Sequence, residues 1–375
     1  MTANRTTVDR ATVEQSRWIV SSRVDVAMVG VPFVLGLVAL FVVAATGVRE
    51  PLWVYLLGFV AFDVAHVWGT AYVTYLDEER FRRRRALYLW PIPASFAAAF
   101  ALHLSSPVWF WTALAYFAIY HFAKQQYGFI AIYKALAKER SRFDYHLDKA
   151  TLWVGALGPV LLWHATPAGQ FDWFGSGEEF LFRLPMELRP VVAGVMALVG
   201  TTWLVRQAHV VARGGRLNRG KTLWMVASWA SWYAGVRLSD HLLVSAAFLN
   251  FFHGLPFLVL VWRRCNARHE RGTTGARLVG WLSARGRAWA FYGFVFAIAL
   301  VEELLWDGVV WRSYLPSLLD VSPPALSAFA LSLWIALLST PQIVHYFLDG
   351  FIWKLNRHND DLFAVFGLAP PGRGA

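Results

Sequence analysis

Four histidines in this sequence each have an acid or an amide three or four residues away. The pairs, in chain order, are Asp63 with His66, His121 with Gln125, Asn250 with His253, and His345 with Asp349. On a helix, these spacings put both members of a pair on one face. A neutral imidazole nitrogen can bind a metal ion, and a neighbouring carboxylate or amide can orient the ring or bind the metal itself.

This pattern predicts a metal centre. The predicted ligands are His66, His121, His253 and His345, with Asp63 and Asp349 either as further ligands or as groups that orient the rings. We also predict that Asp63, Asp349 and Gln125 take part in catalysis. Histidine and carboxylate ligands suit non-haem iron, with zinc or manganese as alternatives.

The elements that carry these residues are predicted to be transmembrane helices. Hydrophobic residues make up 57% of the 375 residues and charged residues only 16%, whereas a soluble domain has roughly 25% charged residues. A membrane span needs roughly 17 to 25 apolar residues. About ten segments meet this requirement: 24–46, 51–76, 87–104, 107–136, 149–167, 189–211, 221–238, 241–263, 287–306 and 324–353. The predicted fold class is therefore an all-α polytopic transmembrane helix bundle.

The loops between these segments predict the orientation. Lys and Arg cluster in the second, fourth, sixth and eighth loops, and the fifth loop, from Phe171 to Glu179, is acidic. Short basic loops lie on the cytoplasmic side of a membrane. We therefore predict cytoplasmic N and C termini, a cytoplasmic segment 1–23, one ten-helix membrane domain 24–356 and a cytoplasmic tail 357–375, in a bacterial-type cytoplasmic (inner) membrane.

The four histidines lie on even-numbered spans, which all run in the same direction. A rise of about 1.5 Å per residue puts them in the middle or inner half of the bilayer, so they could meet at one site. Pro256 follows His253, and Pro341 lies one turn before His345. Proline inside a membrane helix is tolerated where polar partners satisfy the freed backbone groups.

This arrangement resembles the histidine-rich membrane non-haem iron oxygenases, a group that includes lipid desaturases and hydroxylases and the Brp/Blh carotene dioxygenases. The resemblance covers His66, His121, His253 and His345 with their neighbours, and the chain lacks the HxxxH and HxxHH boxes of the desaturases and hydroxylases. It implies a metal-dependent oxidoreductase or oxygenase that acts on a lipid-soluble substrate, with membrane lipids as partners and a redox partner still to be identified.

Two other functions fit the same residues. Intramembrane histidines and aspartates beside broken helices can form the proton or cation relay of a transporter or channel. Two facing histidines can also ligate haem b. The formal net charge of +11 comes from basic loops and predicts no nucleic-acid partner. The chain contains no GxxxxGK[ST], HExxH, CxxC or GxSxG motif, and Cys265 is its single cysteine.

The other ionisable residues near these spans are not predicted to belong to the metal site. We expect Glu302 and Glu303 at the membrane interface, and His103 and His164 in water at span ends. Lys124 lies one turn after His121, and its stem could extend toward the cytoplasm.

Overall fold

We analysed a computed structural model of the chain. The structure describes residues 18–48, 52–166, 182–238, 242–272, 277–312 and 325–368, and all regular secondary structure within these ranges is helical. The predicted all-α class is confirmed. The acidic loop 171–179, the first 17 residues and the last residues of the tail lie outside the described residues.

We number the helices in chain order. They are α1 Ser22–Thr46, α2 Leu52–Thr74, α3 Glu78–Arg83, α4 Arg85–Ser105, α5 Pro107–Leu136, α6 Arg142–His164, α7 Arg189–Ala212, α8 Arg219–Tyr233, α9 Leu242–Glu270, α10 Arg277–Ser283, α11 Ala288–Trp306, α12 Ala328–Ile352 and α13 Asp361–Val365. Polar side chains set several of the helix starts, because each accepts a hydrogen bond from an unpaired backbone N–H group. Ser141 caps α6, Asn218 caps α8 and Ser327 caps α12 in this way.

Seven helices in the described ranges are long and apolar enough to cross a membrane. They are α1, α2, α4, α7, α9, α11 and α12. These helices indicate a membrane protein. The other three predicted spans fall on α5, α6 and α8, which are not among the seven, so the count of about ten spans and the cytoplasmic position of both termini stay predictions.

The chain divides into two compact units. The first comprises Met1–Pro51, Tyr120–His253 and Leu362–Ala375, and the second comprises Leu52–Ile119 and Gly254–Asp361. A membrane domain can contain more than one compact unit, so the single domain 24–356 stays a prediction.

The first unit contains a buried group of charged residues, which we call the lysine–aspartate cluster: Lys134, Glu139, Asp148 and Lys221. Lys134 and Lys221 both form ion pairs with Asp148 and with Glu139. The indole N–H of Trp203 donates to the other Asp148 oxygen at 2.9 Å. Buried charges are stable when they are paired in this way.

The second unit has a hydrophobic core between α2, α9, α11 and α12, with Tyr72, Phe257 and Phe291 among its large side chains. Helix α2 contains a π-helical stretch, Leu56–Val64, directly before the segment that carries His66. Such wider turns are often found at functional sites. At the end of α12, Arg264 donates to the Ile352 carbonyl oxygen at 2.7 Å.

Candidate metal centre

His66 on α2 and His345 on α12 face each other in the interior of the second unit. Their Nε2 atoms are 3.0 Å apart, and their rings meet edge to face with centroids 4.6 Å apart. The exposed fractions are 0% for His66 and 1% for His345. The ring of Phe257 packs against the edges of both imidazoles. The two nitrogens therefore meet inside the protein, away from its surface.

The backbone of α2 fixes the protonation of His66. Its Nδ1 atom lies 3.1 Å from the carbonyl oxygen of Phe62, within the π-helical stretch. A carbonyl oxygen only accepts hydrogen bonds, so this contact requires the hydrogen on Nδ1. The Nε2 atom of neutral His66 then presents a lone pair toward His345.

Gly254 allows α9 to approach the same carbonyl group. A Cβ atom at this position would overlap the carbonyl oxygen of Phe62. Glycine is the residue that permits so close a backbone approach. Gly254 therefore helps to hold the acceptor that orients His66, and it directly follows His253 in the chain.

Thr70 and Asp349 are the polar neighbours of His345 Nδ1. The Thr70 hydroxyl lies 2.7 Å from His345 Nδ1 and 3.2 Å from Asp349 Oδ1. Asp349 Oδ1 itself is 3.6 Å from His345 Nδ1. When the hydroxyl donates to the carboxylate, it accepts the hydrogen of Nδ1, and the Nε2 atom of neutral His345 then carries a lone pair. When the hydroxyl donates to Nδ1 instead, Nε2 carries the hydrogen and can donate it to His66.

The Nε2 atoms of His66 and His345 are 3.0 Å apart, which is close enough to share a hydrogen or to bind one metal ion. Two lone pairs at this distance would repel each other, whereas a hydrogen on one nitrogen forms a hydrogen bond and a metal ion binds both nitrogens. Metal-binding histidines commonly donate their other ring N–H to a carbonyl or carboxylate group, which fixes the tautomer. The contacts of Nδ1 in His66 and His345 follow this arrangement.

The second histidine pair belongs to the first unit. His121 on α5 and His253 on α9 meet edge to face with ring centroids 4.9 Å apart, and His253 also stacks on Phe122 at 3.9 Å. The exposed fractions are 5% for His121 and 0% for His253. Aromatic contacts therefore restrict the orientation of His253.

One nitrogen from each of the four histidines, His66, His121, His253 and His345, lies within 4.8 Å of the others. Four buried histidines thus lie close together and could hold a metal ion, as the sequence predicted. The identity of the metal stays a prediction.

The remaining predicted site residues have different surroundings. Asp63 Oδ1 lies 3.7 Å from His66 Nδ1, beyond hydrogen-bond distance. Gln125 is half-buried, and its amide atoms form no hydrogen bond with the part of the chain that the structure describes. Their predicted catalytic roles, and that of Asp349, stay predictions.

Glu302 and Glu303 lie inside the second unit, and their expected position at the membrane interface stays a prediction. Both side chains are buried, with exposed fractions of 9% and 8%. Helix α2 supplies their hydrogen-bond donors: the indole N–H of Trp68 donates to Glu302 at 2.7 Å, and the hydroxyl of Tyr55 donates to Glu303. These donors offset part of the cost of removing the carboxyl groups from water.

The histidines His103 and His164 are also buried, contrary to expectation, with an exposed fraction of 4% each. His103 Nδ1 lies 2.8 Å from the Ser332 hydroxyl, and His164 Nδ1 lies 2.8 Å from the carbonyl oxygen of Val160. A position near a helix end does not reveal such partners in the sequence.

Sequence reasoning did not assign a role to Thr70. Its spacing from His66 on α2 is four residues, which places both on one face of the helix. This spacing could have indicated that Thr70 lies near the histidine site. However, the hydroxyl of a threonine in a membrane helix more often donates to a backbone carbonyl of the same helix, as Thr74 does to the Thr70 carbonyl oxygen.

The comparisons with known proteins give no relative. No protein-family model, no curated protein and no solved structure matches this chain. The functional argument therefore depends on the geometry of the histidines and their neighbours.

Proposed function

We propose that this protein is a membrane-embedded, metal-dependent oxidoreductase or oxygenase that acts on a lipid-soluble substrate, with non-haem iron as its metal. The observation that carries the proposal is the group of four buried histidines whose nitrogens lie within 4.8 Å of one another. Asp63 and Asp349 are proposed as further ligands or as orienting groups, and Gln125 as a catalytic residue.

The donor set supports a metal ion of this kind. The Nε2 atoms of His66 and His345 are 3.0 Å apart, close enough for both to bind one ion at the usual nitrogen-to-metal distances of about 2.0 to 2.2 Å. Histidine nitrogens together with carboxylate oxygens suit non-haem iron, with zinc and manganese as alternatives.

The chain's own residues have defined roles in this proposal. Phe62, Thr70 and Asp349 hold the Nδ1 hydrogens, so that both Nε2 lone pairs are directed at the metal. Burial of the four rings excludes competing water. A metal bound there would supply activation of oxygen or water.

Haem b is a further alternative, because two facing histidines can ligate its iron. A proton or cation relay uses the same hydrogen bonds without a metal, and the experiment below separates it from the oxidoreductase.

The proposal can be tested on purified protein by metal analysis, a visible spectrum and oxygen uptake with added lipid extract. We expect about one iron per chain, no Soret band, and substrate-dependent oxygen uptake that His345→Ala abolishes. His358→Ala, at an exposed histidine, should behave like the unaltered protein. A Soret band would show haem, and absence of metal from fully folded protein would support the relay instead.

A further inference from the structure

Two exposed lysines lie on the outer surface of the first unit. Lys124 on α5 and Lys149 on α6 are both exposed. Neither forms an ion pair within the described ranges of the chain. Their charges are therefore available to a molecule outside the protein, unlike those of Lys134 and Lys221, which are paired with Asp148.

A tilted aromatic pair, Tyr120 with Trp153, lies one turn from both lysines. The rings of Tyr120 and Trp153 are 5.6 Å apart with an interplanar angle of 31°. Lys124 follows Tyr120 by four residues, and Lys149 precedes Trp153 by four residues. Residues four apart are neighbours on one helix face.

The direction of the two helices puts both lysines on the same side of this aromatic pair. Helices α5 and α6 are joined by a short loop, and Lys134 near the end of α5 donates to the Asp144 carbonyl oxygen near the start of α6. The helices therefore run antiparallel here. Each lysine lies about one turn, roughly 5 to 6 Å, from the aromatic pair toward that loop.

The ammonium group of Lys124 has an aromatic neighbour. It lies 5.4 Å from the centroid of the Tyr120 ring. A cation–π contact at an exposed site is weak, about 0.5 to 1 kcal/mol. An anion could therefore replace the ring as the partner of Lys124.

We propose that Lys124, Lys149, Tyr120 and Trp153 form a binding site for an anionic phospholipid, which we call the lysine–aromatic surface. The two ammonium groups bind the phosphate, and the aromatic pair, one turn further from the loop, packs against an acyl chain. Tryptophan and tyrosine favour the boundary between headgroups and chains, and lysines near it attract anionic lipids. Tyr120 is 49% exposed, which leaves room for this contact.

The phosphate of a phospholipid fits better than the carboxylate of a free fatty acid. Two cations on neighbouring helices can each bind one of the unesterified phosphate oxygens. The site is on the outer surface and does not depend on the proposed metal function, so either proposal can fail alone.

Native mass spectrometry of detergent-solubilised protein titrated with phosphatidylglycerol or phosphatidylcholine tests this site. We expect the unaltered protein to prefer phosphatidylglycerol. Each of Lys124→Gln and Lys149→Gln should raise the Kd of the first bound phosphatidylglycerol by about fivefold, and the double variant by roughly 25-fold. Phosphatidylcholine binding should fall less, because the choline cation of its headgroup offsets the charge of its phosphate.

Lys138→Gln is the matched control, because it removes one exposed positive charge from the loop between the same helices. It should leave the Kd nearly unchanged. An equal loss in Lys138→Gln would show unspecific attraction to charge and would overturn the proposal. So would unchanged phosphatidylglycerol binding in the double variant. Oleate that displaces phosphatidylglycerol at lower concentration than the lipid itself would assign the surface to a fatty acid and contradict the phospholipid assignment.

Discussion

The lysine–aspartate cluster in the first unit and the His66–His345 pair in the second are both buried polar sites, but their charges differ. In the cluster, Lys134 and Lys221 face Asp148 and Glu139, so two positive and two negative groups balance. In the histidine pair, two ring nitrogens face each other at 3.0 Å. The charges of the cluster balance one another, whereas the facing nitrogens can either share a hydrogen or bind a metal ion.

The largest effect is expected from breaking the lysine–aspartate cluster. Asp148→Asn leaves two buried ammonium groups with Glu139 alone, and removing one partner of a buried ion pair typically costs about 3 to 5 kcal/mol. We expect a loss of this size in the free energy of unfolding of detergent-solubilised protein, with metal content unchanged in the folded fraction. A free energy of unfolding within about 1 kcal/mol of that of the unaltered protein would show that the cluster is not required for stability.

Asp349→Asn should lower metal affinity and leave stability nearly unchanged, which is the reverse of the result expected for Asp148→Asn. The change keeps the shape but removes the charge that holds the Thr70 hydroxyl and, through it, His345 Nδ1. Losses of such orienting groups typically cost about 10- to 100-fold in metal affinity or activity. We expect this loss in a metal titration, with melting nearly unchanged. Loss of stability with full metal affinity would instead make Asp349 a structural residue.

The sequence predicted that the four histidines lie close together because their spacing from acids and amides follows from helix geometry. It could pair His345 with Asp349, since both lie on α12, but it could not assign Thr70 on α2 to them, because which helices are neighbours is a tertiary property. Glu302 and Glu303 illustrate the same limit, since their hydrogen-bond donors, Trp68 and Tyr55, lie on another helix. Polar residues in a membrane protein are placed by such partners as much as by depth.

Thr70→Val tests whether the hydroxyl orients His345. Valine keeps the shape of threonine but cannot bridge Asp349 and His345, so we expect metal affinity to fall by about tenfold. Thr74→Val is the matched control, because Thr74 is equally buried and bonds only within α2. The comparison of both variants in a metal titration checks the prediction. Equal effects of the two changes would contradict it.

The smallest effect concerns Asp361, which follows α12 outside the membrane-spanning segments. Burial raises the pKa of this carboxyl. Hydrogen bonds from Arg264 and the charges of Arg264, Arg80 and Arg268 together lower the pKa by more than burial raises it, so it lies well below its usual range. A lowered pKa stabilises the fold above the unfolded-state value of about 3.9, and this stabilisation is lost as the pH falls below it.

We therefore expect the stability difference between the unaltered protein and Asp361→Asn to be constant from about pH 5 to 8 and to shrink by roughly 1 kcal/mol by pH 3. Unfolding of both proteins across this pH range measures it. A difference that grows in acid would have the wrong sign for a carboxylate held by arginines.

The central claim is that four histidines hold one metal ion, and metal content per chain tests it most directly. The measurement compares single alanine variants of His66, His121, His253 and His345 with His358→Ala, after each has been loaded with iron and desalted. We expect about one iron per chain in the control and less than about a tenth of that in each of the four variants. Full iron occupancy in two or more of the four, in protein that is folded, would contradict the shared metal site.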